Sequence, residues 1–503
     1  MLTALRKSFD LYALRHGREL GLATVPQKDE ATFDMICNAD TIGVFQIESR
    51  AQQSMLPRLR PRTYYDLVVE VAIVRPGPIQ GGMVHPYLEQ RALDRKGKSI
   101  PPDPLLHAAL SRTLGIPIFQ EQVMQVAIDG ADFSADEADA LRRSMAAWRR
   151  KGGVHRFQKK LTEGLLGNGF SQDFADRLFK QIQGFGEYGF PESHAASFAL
   201  LVYASCWIKC HEPAIFLAAL LNSQPLGFYT PSQLVQDARR HAVEVRAVDV
   251  CHSHSDCTLE ELHRRPQPAI RLGLRLVSGL GHASAMRIVA ARAQRPFTDA
   301  GDLAQRAGLQ LHEMKLLAAA DALASLSGHR RQQVWDAAAQ HAPPPVLRQA
   351  RIDERQLSLP AAAEGEDIVW DYAALGLTLR RHPLALLRER LRRGRWMSSA
   401  ELAQQVGDGD RAWTAGIVTL RQQPGTAKGT VFVSLEDEHG TVQVIVWKSL
   451  RDRQRQILLG ARLLAVRGQW QKQDSVCNLV ADRLWDLTPL LGRLSTDKSR
   501  DFR

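Results

Sequence analysis

The feature that most constrains this chain is a run of positive charge that starts at Arg142. Between Arg142 and Lys160 the sequence holds eight Lys or Arg residues and no Asp or Glu. Arg142 and Arg143 recur seven residues later as Arg149 and Arg150, so a helix would project all four from one side. Like charges on one helix face repel, so this face needs an anionic partner or full exposure to water.

Paired arginines point to phosphate as that partner, because the guanidinium fork matches two phosphate oxygens at once. A basic face that is merely solvated is the alternative. Ser134 and Glu137 have the spacing of a capping box, which predicts that the helix starts there. The letters Asp136-Glu-Ala-Asp139 resemble a helicase box, but here they would occupy the first helical turn, where the helix dipole favours acidic residues.

Four further motifs surround this run in the sequence. They are Gly43-Val-Phe-Gln-Ile-Glu-Ser-Arg50, Val74-Arg-Pro-Gly-Pro-Ile-Gln80, Phe119-Gln-Glu-Gln-Val-Met124 and Phe185-Gly-Glu-Tyr-Gly-Phe-Pro-Glu-Ser-His-Ala195. With these motifs in this order, the chain resembles the fingers of bacterial C-family DNA polymerases, the replicative polymerase III alpha subunits and their error-prone relatives. The resemblance covers essentially the whole chain and is sharpest from Asp34 to Tyr229.

The resemblance implies roles for the basic run. In that family the helix with the Arg-Arg pair faces the triphosphate of the incoming nucleotide, which implies triphosphate binding by Arg142 and Arg143. It also implies phosphate or DNA contacts by Arg149, Arg150 and Lys151. The implied partners are deoxynucleoside triphosphates and a DNA primer-template.

Within the family, the sequence resembles the damage-inducible, error-prone branch. Replicative subunits tend to have Gly-Lys-Lys-Lys after the arginine pair, whereas this chain has Ala146-Ala-Trp-Arg-Arg-Lys-Gly-Gly153. The segments Asn222–Tyr229 and Ser499–Arg503 resemble the same branch. This implies DNA repair by translesion synthesis with accessory translesion proteins as partners. A fragment of a replicative alpha subunit and a non-catalytic DNA-binding module remain alternatives.

The metal-binding aspartates of such polymerases have no counterpart in this sequence. The resemblance implies that two Mg²⁺ ions serve the complete enzyme and that their carboxylate ligands lie on palm strands upstream of the fingers. This chain starts at Met1–Asp10, which resembles the palm just after those strands. Asp408-Gly-Asp410 and Glu436-Asp-Glu438 are predicted to lie in a loop and a hairpin turn instead. We therefore expect a carboxy-terminal portion that has no catalytic residues and does not extend primers alone.

Composition and cysteine usage agree with a nucleic-acid partner in a reducing cytoplasm. Lys and Arg outnumber Asp and Glu by 65 to 54, and the six cysteines show no disulfide framework. The amino terminus lacks an apolar signal segment, and the apolar stretch Ser197–Ile208 is too short to span a membrane. The segment Cys251-His-Ser-His-Ser-Asp-Cys257 has zinc-like ligands but no distant second pair, which favours an ordinary loop.

The middle of the chain predicts a helix-hairpin-helix region. Gly279-x-Gly281 stands at the start of a helix, where exposed backbone N–H groups can reach a DNA phosphate. A plain tight turn is the alternative. Upstream, polar and apolar residues alternate over Ala242–Val250, which predicts a short strand.

The last third of the chain predicts a five-stranded OB-fold barrel. Residues alternate between apolar and polar over Thr414–Leu420, Thr430–Leu435, Val442–Trp447, Leu463–Trp470 and Val476–Leu484, with a helical stretch at Ser449–Leu458. The first loop, Arg421–Gly429, carries cations, and Lys428 is a predicted contact for single-stranded DNA. A purely structural barrel is the alternative, because few aromatic residues occupy the expected face positions.

The predicted fold is multidomain, with mainly α fingers and a helix-hairpin-helix region before the barrel. The predicted divisions are a palm remnant (1–33), fingers (34–228), the helix-hairpin-helix region (229–335), a linker with a small helical region (336–410), the OB-fold (411–487) and a tail (488–503). Gln356, Leu357 and Leu359 resemble a sliding-clamp peptide, but Pro360 replaces its final aromatic residue. We therefore expect weak or indirect clamp binding, with a chance match as the alternative.

Overall fold

The chain divides into two compact units. The computed structural model describes residues 1–146, 155–185, 190–227, 229–263, 265–339, 359–427, 429–473, 476–494 and 500–502. The first unit comprises Glu19–His211, and the second comprises Met1–Arg18 together with Glu212–Arg503.

The described residues of the first unit fold as helices, as the sequence predicts for the fingers. The helices are Glu30–Cys37, Arg50–Leu59, Tyr64–Ile73, Pro76–Gln80, Val84–Asp94, His107–Leu110, Gln120–Ala131, Ala135–Ala146, His155–Gly167, Gln172–Phe185 and Glu192–His211. The longest, Glu192–His211, packs along Tyr64–Ile73, and both are apolar on most sides because both are buried. Within the described residues, none of the helices combines the length and the apolar composition that a membrane span requires.

One apolar cluster fixes the position of helix Ala135–Ala146. Leu141 and Met145 on this helix are fully buried in one apolar cluster with Val123 and Val126 of helix Gln120–Ala131, against which the helix packs. Apolar residues three to four positions apart form a single stripe, so the opposite side of the helix faces outward. The capping box predicted from the sequence is confirmed: Ser134 N donates to Glu137 Oε2 over 2.9 Å, and Glu137 N donates to Ser134 Oγ over 3.3 Å.

Glu70 is a polar exception in the core of the first unit. It lies on helix Tyr64–Ile73 with 0% of its surface exposed, and neither carboxylate oxygen has a hydrogen-bond partner among the described residues. Burial raises the pKa of this carboxyl well above its usual value of 4.5. A buried acceptor without a partner destabilises a fold by about 1–3 kcal/mol.

We expect Glu70→Met to stabilise the first unit at pH 7 by about 1–3 kcal/mol, because methionine fills a similar volume without an unpaired polar group. The folded protein holds the Glu70 proton more tightly than the unfolded chain, so the wild type loses stability as pH rises above 4.5. The advantage of the variant should therefore shrink as pH falls toward 4.5. Thermal unfolding of both proteins from pH 4.5 to 8 measures this. The control is Glu89→Met, since Glu89 is 65% exposed; a Glu70→Met protein that melts below the wild type at pH 7 would contradict the prediction.

The second unit combines helices with two sheets. Its helices are Leu2–His16, Pro213–Leu221, Pro231–Arg240, His282–Gln294, Ala300–Arg306, Leu311–Ala319, Ala324–Ser327, Arg330–Ala338, Glu364–Leu375, Pro383–Arg393, Ser399–Gln405, Lys448–Arg453 and Arg455–Gly460. A small sheet is formed by Val245–Arg246, Ala269–Arg271 and Thr258–Glu260 in that order. The strand predicted over Ala242–Val250 is wrong in extent. Only two of its residues pair, because Ala242 has a positive φ of 59° and Val250 N instead donates to Ala322 O.

The predicted barrel is confirmed. Its strands are Arg411–Gln422, Val431–Glu436, Thr441–Val446, Leu463–Gln473 and Val476–Asp486, and a short strand, Arg500–Phe502, pairs with the first. The first strand pairs with both the second and the fourth, and the third pairs in parallel with the fifth, so the sheet closes on itself. Shifts in register near Val418 and Arg467 bend the two long strands around the barrel.

The region predicted as a linker with a small helical part, 336–410, starts within a helix and contains others further along. Helix Arg330–Ala338 extends into its start, and helix Glu364–Leu375 lies within it. Residues 340–358 lie outside the described part of the chain. The sequence predicts helical content in this region but not the pairing of helices Arg330–Ala338 and Glu364–Leu375, because the contacts between them join residues far apart in the chain.

A buried ionic network holds these two helices together. Arg330 is 4% exposed; it donates to Asp367 O over 2.7 Å and pairs with the carboxylate of Asp371. Arg380 pairs with Asp321 at 3.0 Å and with Asp367 at 3.2 Å. Two cations and three carboxylates thus share a site with little access to water, where each charge depends on its partners.

Candidate nucleotide and nucleic-acid interface

The arginine pair lies on the outward side of helix Ala135–Ala146. The side chains of Arg142 and Arg143 are 42% and 67% exposed. The residues Arg149, Arg150 and Lys151 fall outside the described residues. The structure therefore exposes Arg142 and Arg143 to solvent on a helix whose other side packs in the apolar core.

Asp139 corrects the expectation that this face carries positive charge alone. Arg142 Nε and Nη2 donate to Asp139 Oδ1 over 3.0 and 2.8 Å, and Arg143 Nε lies 3.1 Å from Asp139 Oδ2. The hydrogen bond from Arg142 and the charge of Arg143 lower the pKa of Asp139. A count of charges that starts at Arg142 omits Asp139, although residues three and four positions apart are neighbours on a helix. A phosphate that binds here must either share the two arginines with Asp139 or displace Asp139 from them.

A second acidic residue compensates part of the same basic run. Lys160 forms an ion pair with Glu137 and lies 5.0 Å from the centre of the Phe133 ring. The hydrogen bond from Lys160 lowers the pKa of Glu137. Lys160 therefore serves the packing of two helices, which leaves Arg142 and Arg143 as the better anchors for an external anion.

Arg75, in the Val74–Gln80 motif, has a structural role that the sequence did not predict. Its guanidinium lies 4.7 Å from the centre of the Phe190 ring, and Nε donates to Val71 O over 3.3 Å. Helix Pro76–Gln80 then packs so closely on helix Gln172–Phe185 that a Cβ on Gly184 would lie 2.6 Å from Gly81 Cα. Gly81 and Gly184, each next to one of the motifs quoted above, thus allow two helix backbones to touch.

The Gly279–Gly281 turn in the second unit leaves a helix start open. Gly279 has a φ of +83°, and Gly281 caps helix His282–Gln294 without a side-chain hydrogen bond. Gly279, Gly281 and His282 are all exposed. By contrast, the next hairpin closes its helix start with a capping box between Gln310 and Glu313. The first turn therefore offers backbone N–H groups to an anion, whereas at the second the N–H of Gln310 already donates to Glu313 Oε2 over 2.7 Å.

The outward face of the barrel carries an apolar stripe that includes aromatic side chains, whereas the sequence suggests that few aromatic residues lie there. Phe432 pairs in register with Ile445, which pairs with Val480, and all three side chains are half-buried. Trp447, at the end of the third strand, is 53% exposed. Aromatic side chains in such positions can stack on bases. Strand alternation could have predicted Phe432, since its neighbours Val431 and Val433 point into the core.

Of the cations predicted in the first loop of the barrel, the structure describes Arg421 but not Lys428. Arg421 is 6% exposed and donates to the carbonyl oxygens of Leu458 and Ala461, so it closes the barrel and does not face a ligand. Lys428 lies outside the described residues. Its neighbour Gly429 accepts a hydrogen bond from Arg451 Nη1 over 2.9 Å, and a Cβ on Gly429 would lie 3.5 Å from the side chain of Lys448. Lys448 is exposed and follows Trp447 directly.

The clamp-like segment is described only at its end. Gln356 and Leu357 lie outside the described residues, whereas Leu359 is half-buried. Leu359 O accepts a hydrogen bond from His329 Nε2 over 2.7 Å, and Leu359 N donates to Gln332 Oε1 over 3.4 Å. Leu359 is therefore attached to this chain by both backbone groups.

The acidic and cysteine motifs make contacts within the protein. Asp437 accepts hydrogen bonds from Ser399, and Glu438 forms an ion pair with Arg388 at the predicted hairpin turn. In the Cys251–Cys257 segment, Cys257 is buried and its Sγ accepts a hydrogen bond from Gly273 N over 3.3 Å. These groups are engaged in holding turns and loops.

Three family models match this chain, in the order of the regions described above. Residues 1–169 match the finger domain of the bacterial DNA polymerase III alpha subunit. Residues 242–333 match a helix-hairpin-helix motif, and residues 412–487 match an OB-fold nucleic acid binding domain.

Curated relatives match along the whole chain. The error-prone DNA polymerase of Bordetella bronchiseptica is 58% identical over 507 residues, which is 100% of this chain and 48% of the relative. The error-prone DNA polymerases of Alkalilimnicola ehrlichii and Pseudomonas syringae pv. tomato are 56% and 55% identical, over 100% of this chain and 48% and 49% of their own lengths. The chain thus spans about half the length of the curated relatives it matches.

Proposed function

Because the chain belongs to the error-prone branch of the bacterial C-family DNA polymerases, we propose that it binds the incoming nucleotide and the DNA during translesion synthesis. Arg142 and Arg143 bind the triphosphate of a deoxynucleotide. The Gly279–Gly281 turn binds a backbone phosphate of the primer-template, and the barrel binds the single strand.

The observation that carries this proposal is the setting of the arginine pair. The helix is fixed by Leu141 and Met145 on one side and exposes Arg142 and Arg143 on the other. Only Asp139 is hydrogen-bonded or ion-paired to both arginines among the described residues. A triphosphate carries more negative charge than one carboxylate and offers oxygens to both guanidinium groups, so it competes effectively for them.

The chemical step itself has no assigned residues in this chain. In polymerases, Mg²⁺ ions activate the primer hydroxyl and neutralise the phosphates, and Mg²⁺ takes oxygen ligands. Asp321, Asp367 and Asp371 lie close together in the second unit, but Arg330 and Arg380 already neutralise them. These residues do not fit a Mg²⁺ site. The proposed contribution of the chain is therefore binding and orientation of nucleotide and DNA.

Single-strand binding by the barrel is expected to combine stacking with charge. Trp447→Ala should weaken binding of an oligodeoxynucleotide by about 1 kcal/mol, or about fivefold, the lower end for loss of one stacked base. Lys428→Glu should reduce single-strand affinity more than duplex affinity. Fluorescence anisotropy over a range of salt concentrations measures both effects, and affinity should fall steeply as salt rises. Trp335→Ala is the control, because Trp335 is 52% exposed but lies on helix Arg330–Ala338 outside the barrel. Equal losses in the two tryptophan variants would contradict this assignment.

Direct binding to a sliding clamp is expected to be weak, with recruitment through an accessory translesion protein. The missing aromatic residue at Pro360 removes an anchor worth about 2–4 kcal/mol, and the backbone contacts of Leu359 to His329 and Gln332 compete with docking. Titration of a labelled peptide of residues 351–362 against the clamp measures the intrinsic affinity. Sub-micromolar binding that disappears with Gln356→Ala would contradict the expectation.

A further inference from the structure

Three potential metal ligands converge at the ends of two helices in the first unit. Asp29 precedes helix Glu30–Cys37, while Cys210 and His211 end helix Glu192–His211. One ligand atom from each of the three residues lies within 4.8 Å of the others. His211 Nε2 is 2.8 Å from Asp29 Oδ2, and all three residues are half-buried. None of them belongs to the nucleotide and DNA contacts proposed above.

We propose that Asp29, Cys210 and His211 form a zinc-binding site. A thiolate, an imidazole and a carboxylate are the three side-chain types that zinc takes in proteins. The thiolate disfavours Mg²⁺ and Ca²⁺, which take oxygen ligands. Water would complete a tetrahedral site.

The distances are close to those that zinc needs. Zinc bonds of about 2.0–2.3 Å in a tetrahedron place the ligand atoms about 3.3–3.8 Å apart. The present separations start at 2.8 Å, between His211 and Asp29, and do not exceed 4.8 Å. Movements of about 1 Å or less therefore suffice, and rotation of the three half-buried side chains provides them.

The surroundings orient the ligands and favour a cation. Asp29 Oδ2 accepts hydrogen bonds from Thr32 N and Thr32 Oγ1 over 2.8 and 2.6 Å, which fix the carboxylate. The Trp207 ring lies 4.8 Å from the His211 ring and supports it. Such supporting contacts are typical of protein metal sites. Besides Asp29, the carboxylates of Asp34 and Asp40 are near enough to act on the Cys210 sulfur.

A bound ion would tie the start of helix Glu30–Cys37 to the end of helix Glu192–His211. In its absence the His211–Asp29 hydrogen bond makes the same connection more weakly. Binding releases the thiol proton of Cys210 to the solvent as the zinc–sulfur bond forms, and the neutral His211 ring then carries its proton on Nδ1 so that Nε2 can bind zinc. The expected role is stabilisation of the first unit.

The test uses the complete chain, freed of metal by a chelator and titrated with Zn²⁺ and separately with Co²⁺. We expect about one equivalent of zinc at the site and a thiolate-to-cobalt charge-transfer absorption. Cys210→Ser and His211→Gln should each weaken zinc binding at least about tenfold. Zinc should raise the melting temperature of the wild type but not of Cys210→Ser. Cys251→Ser is the control, since Cys251 lies in the other zinc-like segment.

Each result decides the proposal. Loss of zinc in Cys210→Ser and retention in Cys251→Ser supports it, provided that circular dichroism shows both variants folded. If Cys210→Ser does not fold, the cobalt absorption of the wild type still reports whether a thiolate binds the metal. Absence of stoichiometric binding, a cobalt complex without the thiolate band, or loss of binding in Cys251→Ser but not in Cys210→Ser would each overturn the proposal.

Discussion

Replacement of Arg330 by alanine is expected to lower the free energy of unfolding of the second unit by about 3–5 kcal/mol. Arg330 is 4% exposed and pairs with Asp371 and Asp367, so its removal leaves buried carboxylates without a main partner. Arg380 remains, but it reaches Asp371 only over 3.4 Å and is shared with Asp321 and Asp367. Urea denaturation monitored by circular dichroism measures the loss.

Arg331→Ala provides a matched control on the same helix. The side chain of Arg331 is 43% exposed and pairs with Glu366 over 2.7 Å at the surface. Exposed pairs of this kind contribute about 0–1 kcal/mol. Similar losses for Arg330→Ala and Arg331→Ala would show that the network is no more stabilising than a surface ion pair.

Arg142→Ala is expected to weaken deoxynucleoside triphosphate binding by about 1.5–3 kcal/mol, or about 10- to 150-fold, as for loss of a charged hydrogen bond. Affinity for a primer-template should change much less. Competition against a fluorescent nucleotide measures the first quantity, and anisotropy of labelled DNA measures the second. Arg177→Ala is the control, because Arg177 is exposed on helix Gln172–Phe185 of the same unit.

The opposite pattern would reassign Arg142. If DNA affinity falls while nucleotide affinity is unchanged, this arginine contacts a DNA backbone phosphate. If Arg177→Ala lowers nucleotide affinity as much as Arg142→Ala, the effect reflects the general charge of the unit.

The sequence predicts the architecture well because its patterns are local. Short motifs in a fixed order imply the fingers by resemblance, and alternation predicts all five barrel strands. The capping box at Ser134 and the open turn at Gly279–Gly281 are also local, and the structure contains both. Alternation fails at Ala242–Val250, where a long-range bond from Val250 to Ala322 replaces strand pairing.

Most of the features that the sequence does not predict are contacts between residues that are far apart in the chain. The network of Arg330 joins residues 41 positions apart, and the candidate zinc ligands Asp29 and His211 are 182 positions apart. Neither pairing leaves a local pattern in the sequence. Burial of Glu70 is equally hidden, because a single acid in an apolar helix does not reveal whether it faces a partner. The pairing of Asp139 with Arg142 and Arg143, by contrast, can be predicted from their spacing of three and four positions on a helix.

Phosphate-chain discrimination tests the central claim most directly. The affinities of the wild type and of Arg142→Ala for a deoxynucleoside triphosphate, diphosphate and monophosphate should be measured under one salt condition. If the arginine binds the outer phosphates, the wild type should prefer the triphosphate strongly. The variant should lose most of that preference and keep its affinity for the monophosphate. A variant that retains the full preference for the triphosphate would contradict the assignment of this helix to the incoming nucleotide.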